Sequence, residues 1–176
     1  MTAGTRNRKV MQNSWIVADI DAAVDRWVRT TGIGPFFLVP RLEIPGLLYR
    51  GQPTDAIASI ALAQAGEVQI ELIQQHNDAP SVYRDMAPAG GTGFHHIAYY
   101  CHDYDADLAG FAAAGQPVAQ SGAFAGKRFC YLDTRASLGC LVELIEHSPV
   151  QQDFFARIAA AAVAWDGHDP LRPAFS

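Results

Sequence analysis

One stretch of this chain is written twice, and the repetition constrains the fold more than any other feature. Gln12 to Trp27 aligns with His96 to Phe111: in each copy a run of apolar and small residues ends in Asp-x-Asp, at Asp19 and Asp21 and again at Asp103 and Asp105. Each is followed by apolar residues at helical spacing, Val24, Trp27 and Val28 in the first copy and Leu108, Phe111 and Ala112 in the second. Asp19 and Asp103 are placed to cap those helices, because a short carboxylate can accept from the free N–H groups of a first turn. Gly32 with Gly34, and Gly115 with Pro117, mark the helix ends.

Three strand-like runs follow each helix. They are Phe36 to Leu42, Ala56 to Ala63 and Val68 to Gln74 in the first unit, then Val118 to Ser121, Phe129 to Asp133 and Cys140 to Glu146 in the second. Both units close on matching text, Val-Gln-Ile-Glu71-Leu-Ile and Cys-Leu-Val-Glu143-Leu-Ile. The offset between copies is 84 residues from Gln12 to His96 but 72 from Glu71 to Glu143, so the second copy is 12 residues shorter. The excess falls in Pro40 to Asp55, which reads as a loop over the first unit.

The chain therefore divides into an N-terminal tail at 1–9, a first βαβββ module at 10–76, a linker at 77–94, a second module at 95–147 and a C-terminal extension at 148–176. The linker reads as flexible, with a short helix over Ser81 to Met86. Phe154, Phe155, Ile158, Ala162 and Trp165 make the extension an amphipathic helix expected to pack on the sheet or on a second subunit.

Composition narrows the function. Among 176 residues, 13 Lys and Arg against 18 Asp and Glu give a net charge of -5, with no basic surplus for a nucleic-acid backbone. No apolar run approaches a bilayer span, and no apolar signal run follows the first residues, so a cytoplasmic protein without a membrane partner is expected. Cys101, Cys130 and Cys140 are odd in number and lack CxxC spacing, which favours core packing over a disulfide framework or zinc knuckle.

Glu71 and Glu143 each interrupt an apolar strand. Taken singly, either could face solvent. Taken together, the repeat relates them to each other and relates Gln12 to His96, so four polar side chains converge near a pseudo-twofold axis. Two carboxylates in one buried space repel unless a proton or cation lies between them. A divalent ion supplies that charge, and oxygen donors plus one imidazole suit nickel, cobalt, zinc, manganese or iron.

The ordered set Gln12, Glu71, His96 and Glu143 on duplicated strands resembles the vicinal oxygen chelate superfamily, which includes glyoxalase I, methylmalonyl-CoA epimerase, extradiol dioxygenases and bleomycin-resistance proteins. The resemblance spans Val10 to His147. It implies an α+β fold, in which two tandem βαβββ modules form a curved eight-stranded mixed sheet around a metal-binding cleft, with a C-terminal helix added. It implies one divalent metal held by Gln12, Glu71, His96 and Glu143, and a small-molecule substrate whose vicinal oxygens bind it. Proton abstraction next to a carbonyl through a metal-bound enediolate follows, with Glu143 as first choice for the base and Glu71 as its counterpart. The activity implied is that of an isomerase, an epimerase or a glyoxalase I-like lyase, and the assembly a homodimer.

The ligand set looks like that of glyoxalase I, whereas epimerases typically begin with His and carry a further carboxylate where this chain has Ser59. Glutathione recognition in glyoxalase I uses basic residues, for which Arg6, Arg8, Lys127 and Arg128 are candidate counterparts. Two alternatives stand beside the enzyme: a non-catalytic, resistance-type binding protein, and an iron(II) extradiol-type dioxygenase, whose two-His-one-carboxylate set Gln12 and the extra glutamate do not provide.

Tyr49, Arg50, Ser59, Phe124 and Arg128 are the candidate substrate-binding residues, with Gln52 near the same mouth. Phe36, Phe37, Leu38, Leu47 and Leu48 are candidates for an apolar wall. His95 precedes His96 in the strand and is expected on the opposite face, as a surface or outer-sphere residue. His76, His102, His147 and His168 read as solvated. Gly122 to Gly126 reads as a hairpin loop, since it lacks phosphate-loop spacing.

Overall fold

A computed structural model describes residues 8–175. The expected N-terminal tail, Arg6 included, lies mostly outside them. The first unit runs β1 (Gln12–Ile16), α1 (Ile20–Thr31), β2 (Phe36–Glu43), β3 (Leu48–Tyr49), β4 (Gln52–Pro53), β5 (Ile57–Ala65) and β6 (Val68–Gln75). A short α2 (Val82–Met86) leads to β7 (Gly93–Cys101), α3 (Tyr104–Ala113), β8 (Val118–Phe124), β9 (Lys127–Leu132), α4 (Arg135–Leu138) and β10 (Leu141–Glu146). The chain ends in α5 (Pro149–Val163) and β11 (Leu171–Pro173).

The helices start where capping chemistry places them. Asp19 accepts from Ala22 N at 2.8 Å and Asp103 from Ala106 N at 3.0 Å, each satisfying an orphan first-turn donor. Gly32, at φ 72°, ends α1 and donates its N–H to Val28 O at 2.9 Å.

All strands join one mixed sheet in the order β11-β2-β5-β6-β1-β7-β10-β9-β8-β3-β4. Its centre is the antiparallel β1–β7 seam, flanked by parallel β1–β6 and β7–β10 pairs, so the two units meet edge to edge. Along each strand, alternate residues serve opposite faces. Ile70 and Leu72 pack under α1 with Phe36, Ala61 and Ala63, while Val142 and Leu144 pack with Tyr104, Leu108 and Phe111 of α3. Glu71 and Glu143 are thereby turned to the inner face. All three cysteines are free and buried, Cys101 and Cys130 in the α3 cluster, as their spacing implied.

Eleven strands replace the expected eight, and the additions come from segments that the repeat does not contain. The Pro40 to Asp55 excess does not lie over its own unit: β3 pairs with β8, at the far edge of the second unit. The chain leaves β2 at Glu43 and joins β8 through Leu48, so those two edges lie within about 17 Å. The sheet is thus curled, and the loop straps its open side. Leu47 sits 3% exposed inside the curl against Phe129 and Tyr131, and Gly122 admits it, since a Cβ there would lie 3.1 Å from Leu47 Cδ1. The third added strand is β11, which pairs in parallel with β2.

The 77–94 segment carries the expected short helix, but Val82, Tyr83 and Ala87 are buried in the inner core, as part of the packed body rather than a free tether. The β8–β9 connection is a two-residue hairpin, with Ala125 at φ 50° and Gly126 at φ 74°, as the hairpin reading required.

The strap gives a stability contrast between neighbours. Leu47→Ala should cost about 2–4 kcal/mol in chemical denaturation, whereas Leu48→Ala, at 37% exposure, should cost less than about 1 kcal/mol. Equal losses would show that the strap does not seat Leu47 in the core.

Candidate functional site

Inside the curl, Gln12, Glu71 and Glu143 line a cavity of ≈ 280 Å³, with His96 fully buried beside them. Register explains the convergence. Gln12 on β1 pairs with Gln69 and Ala98, Glu71 pairs with Ser14, and Glu143 pairs with Ala98. The two carboxylates thus reach the seam from opposite halves. His96 Nε2 lies 3.1 Å from Glu143 Oε2 and 3.5 Å from Glu71 Oε2. Gln12 Nε2 donates to Gln69 Oε1 at 3.2 Å.

The four expected ligands are therefore neighbours. Among the described residues, no group of three or more His, Cys, Asp and Glu stands in a spacing that would hold a metal ion. The carboxylates lie at ion-pair distance from the imidazole instead of about 2 Å from a common point. The polar atoms are nonetheless incompletely satisfied: His96 Nε2 and Glu71 Oε2 are buried without a hydrogen-bond partner among the described residues. A buried donor or acceptor left unpaired costs about 1–3 kcal/mol, more when charged. The donor types and the orphaned atoms fit a divalent ion.

Charge follows from the same crowding. Burial first, and Glu143 with it, outweigh His96 and push the Glu71 carboxyl up to about 7. Burial alone would lower His96, but Glu143 and then Glu71 reverse that and hold it above its ordinary value.

His95 departs from the expected opposite face and surface position but meets the outer-sphere alternative. It is fully buried, and its Nδ1 lies 2.7 Å from His96 Nδ1. The cause is a break in register: Ser14 pairs with His96 and Trp15 with Phe94, so His95 is the extra residue of a β-bulge, which re-aims side chains that would otherwise alternate. Its Nε2 lies 3.3 Å from Val82 O. A carbonyl only accepts, so that nitrogen carries the hydrogen, and a neutral His95 must accept at Nδ1 from His96. In neutral His96 the Nε2 lone pair then faces the two carboxylates; in the protonated form, which they favour, Nε2 carries the proton toward Glu143 at 3.1 Å. The bulge was not legible in the sequence, although the adjacent pair of histidines was its one visible sign.

The expected substrate-binding residues divide. Phe124 and Arg128 line the cavity; Tyr49, Arg50 and Ser59 do not. Ser59 alternates away from Ile60 and Leu62, which do line it, and meets His76 Nε2 at 2.6 Å, so His76 is engaged rather than simply solvated. Tyr49 and Arg50 are drawn off with the strap: the Tyr49 hydroxyl donates to Asp85 at 2.7 Å, and Arg50 bonds Asp85 at 2.7 Å and Asp133 at 3.2 Å. Of the proposed apolar wall, Phe36 and Leu47 are core residues. The actual wall includes Leu42, Phe129, Ile145, Phe154 and Phe155, the last two supplied by α5, which packs on β5. Tyr83, from the presumed linker, and Tyr131 complete the polar end. Arg8, a candidate for carboxylate recognition, bonds Asp107 at 2.8 Å instead.

A sequence model described as the glyoxalase/bleomycin resistance protein/dioxygenase superfamily matches residues 11–131. The crystal structure of a methylmalonyl-CoA epimerase from Mycobacterium tuberculosis is similar over 82% of this chain and 91% of its own, with 20% identity and a TM-score of 0.56. A hypothetical protein from Bacillus halodurans C-125 is similar over 81% of this chain and 96% of its own, with 20% identity and a TM-score of 0.60. At such identity the likeness speaks for the fold. No curated protein sequence matches the chain.

The crowded carboxylates give a pH prediction. Glu71, raised from 4.5 to about 7, stabilises the folded state most below pH 4.5, and the contribution is lost as pH rises through about 7. His96, raised above 6.5, acts in the same sense, since its contribution is lost as pH rises past its folded value. His95, held well below 6.5 by burial, acts in the opposite sense over the same window, so the test is the difference from Glu71→Gln. The melting temperature of chelator-treated protein minus that of chelator-treated Glu71→Gln should fall between about pH 5 and pH 8, and a difference that grows across that window would contradict the buried arrangement.

Proposed function

The chain belongs to the glyoxalase/bleomycin resistance protein/dioxygenase superfamily, and from that premise we propose that it is a divalent-metal-dependent isomerase, epimerase or glyoxalase I-like lyase acting on carbon next to a carbonyl. The observation that carries this reading is the pair of orphaned buried atoms, His96 Nε2 and Glu71 Oε2, beside a second carboxylate at the end of an otherwise apolar cavity. Such atoms are costly to a fold that leaves them unused.

Gln12, Glu71, His96 and Glu143 would hold the ion, which supplies Lewis-acid charge to a substrate's vicinal oxygens when bound. Glu143, on the second unit, takes the proton from the adjacent carbon. Returned to the neighbouring carbon it yields an isomer; returned to the same carbon, with Glu71 reaching from the other unit, it yields an epimer. Tyr83, Tyr131 and the α5 aromatics line the cavity in which that proton moves. His95 is a positioning residue: its Nδ1 holds the His96 tautomer whose Nε2 lone pair points at the site.

A second reading, a small-molecule binder of the same fold without chemistry, is favoured by the apolar wall that α5 adds. Two measurements separate them. Purified protein incubated with nickel, cobalt or zinc should retain about one equivalent, and His95→Phe should weaken that binding about 10- to 100-fold in a chelator competition while leaving the chain folded. In deuterated water, the enzyme should exchange the acidic proton of a hydroxy-ketone, a methylmalonyl thioester or a hemithioacetal, and Glu143→Gln should lower the rate at least about 100-fold with metal retained. Metal bound without exchange on any of these substrate classes favours the binder.

A further inference from the structure

Register along β9 and β10 orders the cavity from end to end. Tyr131 pairs with Glu143 and Phe129 with Ile145, and Lys127 comes two residues further along β9 on the same face. The sequence along the cleft is thus polar at Glu143, hydrocarbon at Phe129 and Ile145, and cationic at Lys127. Lys127 and Tyr131 are four residues apart, about 13 Å of strand, and a lysine stem can reach back over part of that span.

The cationic end is sparse. Lys127 and Arg128 are the cations in the lining among the described residues. Arg128 is committed, with Nη1 2.7 Å from Asp105 Oδ1 and Nη2 3.2 Å from Glu146 Oε1. The Lys127 side chain makes no ion pair or hydrogen bond among the described residues, although its charge helps to lower the Glu146 carboxyl, after the larger effect of Arg128. Recognition of a nucleotide carrier's phosphates, or of a tripeptide's carboxylates, calls for several convergent, uncommitted donors. One lysine answers to one anionic group. Meanwhile Phe154 and Phe155 add aromatic rings to the lining, surface that offers a polar carrier nothing to bond.

We infer that the substrate is a carrier-free small molecule: a vicinal oxygen pair at the Glu71–His96–Glu143 end, a hydrocarbon body along Phe129 and Ile145, and a single anionic group at Lys127. This rests on the proposed metal-assisted reading for its polar end only; the hydrocarbon and cationic parts stand on the lining itself.

Calorimetric titration of the nickel-loaded full chain tests it with defined probes. Suberic acid monohydroxamate carries adjacent oxygens, a methylene chain and a terminal carboxylate. It should bind more than about 100-fold tighter than acetohydroxamate, which lacks the chain, and about fivefold tighter than its own methyl ester, which lacks the charge. Lys127→Gln should bring the acid down to the level of the ester and leave the ester unchanged. Methylmalonyl-CoA and S-hexylglutathione should bind more weakly than the monohydroxamate. Tighter binding by either carrier compound, or an acid-to-ester ratio untouched by Lys127→Gln, would overturn the inference. Should nickel fail to load, or acetohydroxamate fail to bind, the metal reading falls on its own. Octanoate titrated into metal-free protein then decides this inference alone: it should bind, with about fivefold loss in Lys127→Gln, and no dependence on Lys127 would refute it.

Discussion

Two carboxylates and one imidazole share a volume too small to hold their charges apart, and much of the architecture exists to keep them there. Glu71 is 7% exposed, Glu143 7% and His96 fully buried. Each is placed by a strand whose alternate residues are locked under a helix on the outer face, so none can turn away without turning apolar neighbours into water. Releasing Glu71 would mean exposing Ile70 and Leu72, at about 1.5–3 kcal/mol per side chain. Packing on one face therefore enforces electrostatic crowding on the other. That coupling is what gives an otherwise apolar cleft a crowded polar end.

The elements outside the repeat shape what surrounds that end. The strap, pinned by the Arg50, Asp85, Asp133 and Arg135 cluster, curls the sheet and fills its far side with Leu47. The Arg135 guanidinium, donating to Asp133 through Nε and Nη2 at 2.7 Å each, holds that carboxyl at about 2, so the pin stays charged at any ordinary pH. From the other direction α5 lays Phe154 and Phe155 over the cavity, and β11 ties the tail to β2. The duplicated polar group is thus enclosed by walls drawn in part from outside the repeat.

The repeat, the helix caps and the alternation of each strand were legible because they are local. Asp19 and Asp103 cap the turns they precede, the hairpin at Ala125 and Gly126 lies where its glycine implied, and the boundaries of the eight core strands fall within a few residues of the apolar runs. The relation between Gln12, Glu71, His96 and Glu143 was also readable, since a duplicated unit must place duplicated positions symmetrically. What failed to show were long-range pairings. Tyr49 and Arg50 seemed near the pocket because their loop is polar and adjacent to it in sequence, yet β3 pairs with β8 some seventy residues later and carries them to Asp85 and Asp133.

By itself, then, the order of residues determined the two modules, their helices, and which four polar side chains would meet, because hydrophobic period and capping chemistry act over a few residues and symmetry extends them to the whole. Tertiary structure alone decided three things: that a bulge turns His95 inward to orient His96, that the strap closes the curl, and that α5 joins Leu42 and Ile44 in walling the cavity. Each depends on which strand edge or helix face a distant segment finds, and that choice is set by the packing of the assembled sheet, not by any pattern within the segment.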